Sequence, residues 1–254
     1  MKARMPLKIT GFTAGERLTQ QYLLANLENF RITSAKLENN KLENNKLDLS
    51  GRHSFSIATF SGKEIASRPG IWNDYYFSEP VSSLPAALRE ELPVPYACDT
   101  FAWFRSRLWL AREGSRTPLH RDIPHNLILV TEGAKDVLLV APRAGAGVYP
   151  YSLFSKAPNF AKVDLRNPDA VRFPKSTGLS VMHTVVEAGE MIYIPPFWWH
   201  DILNLKKTTS INHWFAPANL NGLLAATSFY LKKMIGIYKH EWVKPRPPGS
   251  TQTA

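Results

Sequence analysis

From about Phe101 to Pro217 the apolar positions fall into short runs separated by Gly, Pro and Asn: LWLA (108–111), NLILVT (126–131), DVLLVA (136–141), GEMIYIPP (189–196) and TTSINHWF (208–215). Short, evenly spaced runs rich in β-branched and aromatic residues and bounded by turn formers read as strands. They predict a mainly β fold, a double-stranded β-helix or jelly roll. Glu132-Gly133 predicts a hairpin joining NLILVT to KDVLLVAP, and Ala188-Gly189-Glu190 announces the next strand.

The ends carry a different pattern. Over residues 15–30, Leu18, Tyr22, Leu23 and Leu27 recur at three- and four-residue intervals, the spacing of an amphipathic helix. A second, Pro-punctuated helix is expected over 82–92. Residues 36–49 read KLENN-KLENN-KLDLS, a five-residue repeat that fits neither helix nor strand periodicity and predicts a polar surface insertion. Beyond Pro217, Leu223, Leu224, Phe229, Tyr230, Met234 and Ile235 form an apolar helical stripe, which would pack on its own barrel or pair two copies as a homodimer. The tail KPRPPGSTQTA is too rich in Pro, Gly and Ser to support a core. One domain is therefore expected: an N-terminal helical and mixed elaboration (1–100), a jelly-roll core (101–217), and a C-terminal helix with a disordered tail (218–254).

At 254 residues and 44% hydrophobic, the chain can bury one full core. Its single cysteine, Cys98, excludes an internal disulfide and a cysteine-rich zinc site, in keeping with a reducing compartment. No secretory leader and no membrane-length apolar stretch is found, so a soluble cytoplasmic protein without a membrane partner is expected. The net charge of +10 favours anionic partners. Arginines 105, 107, 112, 116 and 121 crowd a segment that also holds Trp103, Phe104 and Trp109. Without a helix-turn-helix, zinc-finger or RNA-binding signature, this cluster reads as an arginine-decorated sheet face rather than a nucleic-acid site.

Chemistry concentrates at His120-Arg121-Asp122. In extended backbone, positions i and i+2 share a face, so His120 and Asp122 converge while Arg121 turns away. An isolated His-x-Asp is a weak signal. This one follows Thr117-Pro118-Leu119, precedes an apolar strand, and is answered by His200 after a Pro-Pro turn. Two histidines and one carboxylate on one face leave coordination positions open, the arrangement suited to ferrous iron in oxygen-activating enzymes. His53, His183 and His240 lack such context; His125 and His213 read as neighbours of the site rather than ligands.

From about Trp109 to Phe215 the sequence resembles the JmjC-type, cupin-like oxygenases, particularly their asparaginyl-hydroxylase-like branch. The resemblance rests on TPLHRD (117–122), Asn126, Gly133-x-Lys135, VYPY (148–151), VDLRNPDAVRFP (163–174), AGEMIYIPPFWWH (188–200) and SINHWF (210–215), in this order. It implies that His120, Asp122 and His200 bind Fe(II). Lys135, assisted by Thr117, would hold the distal carboxylate of 2-oxoglutarate, and Asn126 and Asn212 would contact its metal-chelating end. The implied activity is O2-dependent hydroxylation of a protein or peptide side chain or of a small metabolite. Kept beside it are N-methyl-lysine demethylation, a cosubstrate-independent metal cupin, and a non-catalytic jelly roll. Arg121, Asp201 and His213 depart from the family pattern and are expected to reshape the pocket rim.

Overall fold

A computed structural model describes residues 5–12, 17–26, 31–37, 55–92, 106–152, 155, 158–215 and 241–242. Its strands are β1 (Leu7–Ile9), β2 (Arg31–Leu37), β3 (Phe55–Ser61), β4 (Tyr75–Pro80), β5 (Ser106–Ala111), β6 (Arg116–Arg121), β7 (His125–Glu132), β8 (Ala134–Val140), β9 (Val181–Glu187), β10 (Glu190–Ile194), β11 (Trp199–Asn204), β12 (Thr208–Phe215) and β13 (Glu241–Trp242). They form two sheets, one in the order β1-β10-β7-β12-β5-β4-β2-β3-β13 and one in the order β6-β11-β8-β9. This is the expected mainly β jelly roll.

Between the sheets, Ile128, Val130, Ile192 and Ile194 of the larger meet Val137, Leu139, Val186 and Ile202 of the smaller. The outer face of the larger sheet is covered as well: Leu108, Leu110, Leu129 and Ile211 pack with Leu18, Leu23 and Ile65. Because β7 is buried on both faces, NLILVT reads as a continuous apolar run rather than an alternating one.

Glu132-Gly133 does not close a hairpin. β7 pairs with β10 and β12, whereas β8 pairs with β11 and β9, so the chain changes sheets at Gly133. Gly133 sits at φ +81°, and a Cβ there would lie 2.1 Å from the Lys207 carbonyl oxygen. Gly189 (φ +82°) makes the equivalent crossing between β9 and β10, where a Cβ would lie 2.7 Å from the Phe12 carbonyl oxygen. Both corners demand glycine, because other residues meet a steric penalty at this φ and these carbonyls leave no room for a side chain.

Among the described residues of 1–100, four strands extend the larger sheet, more β structure than the helical pattern suggested. The first helix, α1, is described over Gln20–Asn26, with Leu18 buried just before it. Its Gln20 amide donates to the carbonyls of Ala111 and Thr208, clasping the helix to the sheet. A further helix, α2 (Gly62–Ser67), begins in a capping box between Ser61 and Glu64. The expected helix over 82–92 is two short pieces, Val81–Ser83 and Ala86–Arg89. Lys36 and Leu37 of the repeat belong to β2; the rest of the repeat, Cys98, Trp103, Phe104, Arg105, His53, His240, the 223–235 stripe and the KPRPPGSTQTA tail lie outside the described residues. Between that stripe and the tail, Glu241–Trp242 pairs in parallel with β3.

Candidate metal centre

β6 and β11 run antiparallel with His120 directly opposite His200, so both imidazoles leave the smaller sheet on its inner face. Asp122 follows one residue after β6 ends. Ligand atoms of His120, Asp122 and His200 all lie within 4.8 Å of one another, a grouping able to hold a metal ion. A turn brings the third residue in: Phe197, at φ +65°, donates its backbone N–H to the Asp122 carbonyl at 2.8 Å.

Each histidine is oriented through its own backbone. His120 Nδ1 lies 2.8 Å from the Pro118 carbonyl oxygen and His200 Nδ1 lies 3.0 Å from that of Trp198. A carbonyl can only accept, so Nδ1 carries the proton and Nε2 keeps its lone pair for a metal. Phe160 stacks on the His120 ring with centroids 5.2 Å apart. Burial, together with the neighbouring His120 and against the attraction of Asp122, pushes His200 down to about 4, which leaves it neutral at ordinary pH.

Asp122 Oδ2 accepts from Asn126 Nδ2 at 2.9 Å and from Trp214 Nε1 at 3.0 Å. Burial opposes ionisation of this carboxyl. The two histidines and these two hydrogen bonds outweigh burial and hold it below the ordinary carboxylate range. Asn212 Nδ2 lies 3.4 Å from Asn126 Oδ1, extending the polar chain along the inner face. The role of Trp214 as donor to Asp122 depends on the Asn126↔Trp214 register of β7 and β12, which local sequence does not reveal.

Deeper in the barrel lies Lys135, four residues along β8 from Leu139, the cross-strand partner of His200. That offset is roughly 13 Å along the strand. Lys135 is 4% exposed and donates to Asn204 Oδ1 at 2.7 Å. Burial pushes its ammonium down to about 7. Thr117 lies opposite Ile202 on the same inner face, half-buried. On β12 the fully buried Ser210 hydroxyl, directly opposite inner-facing Val130, has no hydrogen-bond partner among the described residues. A buried cation against a neutral amide and an orphaned hydroxyl, on the face that carries the metal cluster, suit an anionic ligand reaching inward from the metal.

The three departures from the family pattern do not touch this pocket. Arg121 turns to the opposite face of β6, its guanidinium 4.8 Å from the Trp199 ring. Asp201 is fully buried on the outer face of the smaller sheet, paired with Arg116 and Arg166. Arg116 also binds Asp164, and Arg166 also binds Asp136, so the VDLRNP segment is pinned to the back of the sheet. His213 faces outward, with Nδ1 2.8 Å from Ser106 Oγ, and His125 Nδ1 lies 2.7 Å from the Tyr193 hydroxyl. Strand alternation explains the reversal: each departure sits one residue from an inward-facing side chain.

Comparison with known proteins agrees with this architecture. A family model described as a cupin-like domain matches residues 3–221, reaching well beyond the 109–215 segment that carried the resemblance. Over 144 residues the chain is 33% identical to the lysine-specific demethylase JMJ30 of Arabidopsis thaliana (56% of this chain, 33% of that protein). It is 28% identical over 159 residues to the Jumonji C domain-containing protein 5 of Drosophila melanogaster (61% and 39%). With the human bifunctional peptidase and (3S)-lysyl hydroxylase JMJD7 it shares 27% over 189 residues (64% and 58%). The chain thus spans between a third and three fifths of the length of these relatives. With a matching model over most of its length, two sheets closing a barrel, and relatives that include JmjC hydroxylases and demethylases, the chain belongs to the cupin-like family of JmjC domains.

Proposed function

We propose that this protein is an Fe(II)- and 2-oxoglutarate-dependent oxygenase that hydroxylates an unactivated C–H bond of a protein or peptide side chain or of a small metabolite. The observation that carries the reading is one inner face holding both the His120, Asp122 and His200 cluster and the buried Lys135 ammonium. Fe(II) with 2-oxoglutarate and O2 supplies an oxidant able to attack such a bond, with succinate and CO2 as co-products.

The chain's own residues would bind and orient. His120, Asp122 and His200 would supply three ligand atoms, a set suited to ferrous iron that also takes a cosubstrate and O2. Asn126 and Trp214 hold the Asp122 carboxylate in place, and Asn126 with Asn212 lines the path from the metal inward. Lys135 would neutralise the distal carboxylate of the cosubstrate, with Thr117 donating beside it. Trp198 and the apolar inner face exclude water from the reacting atoms.

By their names, one relative is a demethylase and another a lysyl hydroxylase. Both outcomes begin with oxidation of a C–H bond, so N-methyl-lysine demethylation remains the alternative substrate assignment. The test is anaerobic addition of Fe(II) and 2-oxoglutarate while recording the visible metal-to-ligand charge-transfer band. A band in the wild type and none in Asp122→Ala supports the reading; no band in either returns the chain to a cosubstrate-independent or non-catalytic cupin.

A further inference from the structure

Lys135 would serve a bound dicarboxylate only if its flexible side chain points down the barrel, and a neighbouring strand supplies the group that fixes it. Asn204 lies directly opposite Lys135 in the β11/β8 register, fully buried on the same inner face. Its Nδ2 donates to the Ser115 carbonyl oxygen at 2.9 Å and lies 3.0 Å from Ser115 Oγ. Because a carbonyl oxygen only accepts, the amide cannot be flipped, and Oδ1 must face Lys135 Nζ, 2.7 Å away. The backbone closes the same contact: Asn204 N donates to the Ser115 carbonyl oxygen, and Gly114 N donates to the Asn204 carbonyl oxygen at 2.8 Å. Ser115 immediately precedes β6, the strand carrying Thr117 and His120.

We infer that Asn204 is a positioning residue, whose amide oxygen holds Lys135 aimed along the barrel so that its remaining N–H groups meet the distal carboxylate of 2-oxoglutarate. This rests on the oxygenase reading given above. Several features favour it. An ammonium has three donors; Asn204 takes one and leaves two for the ligand. A free lysine stem loses rotamer entropy when it is ordered, and an anchor in place before binding removes that cost from the binding step. The partner is also neutral. A carboxylate at this position would satisfy the lysine's charge and compete with the ligand, whereas an amide orients the cation and leaves its charge to be matched by the ligand.

A double-mutant cycle over Asn204→Ala and Lys135→Met tests this, with two readouts. One is thermal unfolding of the metal-free protein. The other is 2-oxoglutarate affinity of the Mn(II)-loaded protein by calorimetry, with Mn(II) affinity measured separately by electron paramagnetic resonance. Asn204→Ala is expected to lower the metal-free Tm by about 4 °C or more and to weaken 2-oxoglutarate by about tenfold, leaving Mn(II) affinity unchanged. In the Lys135→Met background the same substitution should have little further effect on 2-oxoglutarate affinity and should lower the Tm by less than in the wild type, by the loss of the Ser115 contacts alone. Should Asn204→Ala fail to fold, Asn204→Ser in both backgrounds gives the same comparison. Additive effects, wild-type 2-oxoglutarate affinity in Asn204→Ala, or equal loss of Mn(II) and 2-oxoglutarate would overturn the assignment. If the wild type binds no 2-oxoglutarate while the metal-free cycle still shows coupling, the oxygenase reading fails, and Asn204 merely satisfies a buried lysine.

Discussion

Trp214 Nε1 donates to Asp122 Oδ2 at 3.0 Å, so an indole at the far end of β12 orients the one carboxylate of the candidate metal centre. Removing an outer hydrogen bond of this kind typically weakens metal binding by about 10- to 100-fold. Trp214→Phe keeps the ring and loses the donor. It should lower Fe(II) or Mn(II) affinity within that range while the far-ultraviolet circular dichroism stays that of the wild type; unchanged affinity would show that Asn126 alone holds Asp122.

Lys135 gives a pH dependence with a defined sign. Burial lowers its pKa from 10.5 to about 7, and its inner-face cross-strand neighbours are Asn204 and Val186, neither of them charged. Between those two values the unfolded chain binds more protons than the folded one, so the metal-free protein gains stability from this group as pH rises from about 7 towards 10.5. Lys135→Met lacks that dependence. Its stability advantage over the wild type, from urea midpoints, should be largest near pH 6.5 and should shrink by pH 9.5. A constant difference would mean that the lysine is not desolvated.

The cluster behind the smaller sheet is expected to be structural. Asp201 is fully buried between Arg116 and Arg166, and deleting one partner of such a network costs about 3–5 kcal/mol. Asp201→Ala should lose about that much in chemical unfolding, and the fraction that remains folded should bind metal with wild-type affinity. A loss of metal affinity in that folded fraction would mean that the cluster also shapes the metal site.

At Gly133, alanine meets both a positive φ and the Lys207 carbonyl oxygen, 2.1 Å from its Cβ. The carbonyl is backbone and moves only if the start of β12 moves with it. Gly133→Ala should therefore destabilise by about 2 kcal/mol or more. Gly114→Ala is the control: it shares the positive φ (+74°) but has nothing within 4 Å of the added Cβ, and it should cost less. Equal losses at the two sites would remove the steric crossing from the explanation.

How far each feature was legible in the sequence followed how local its cause was. The barrel strands were visible as apolar runs because burial on both faces leaves a continuous signal. The N-terminal strands were not, since residues 1–100 alternate weakly and showed a helical spacing, which α1 honours over Gln20–Asn26. Asp201 and His213 were expected to alter the pocket rim, yet strand alternation turns them away from it. Lys135 was placed by resemblance to a family; its partner Asn204, 69 residues away, was not.

By itself, then, the sequence determined the β-rich class, the glycine corners as breaks, and the pairing of His120 with Asp122 on one side of a strand, because pleat and φ preference act between neighbouring residues. Tertiary structure alone decided which sheet each strand joined, turning the Glu132-Gly133 hairpin into a crossing. It also decided which groups meet the buried charges: Asn204 at Lys135, Trp214 at Asp122, and two arginines at Asp201. The physical reason is that strand pairing and the burial of polar groups are settled by contacts between residues far apart in the chain, and local periodicity carries no record of them.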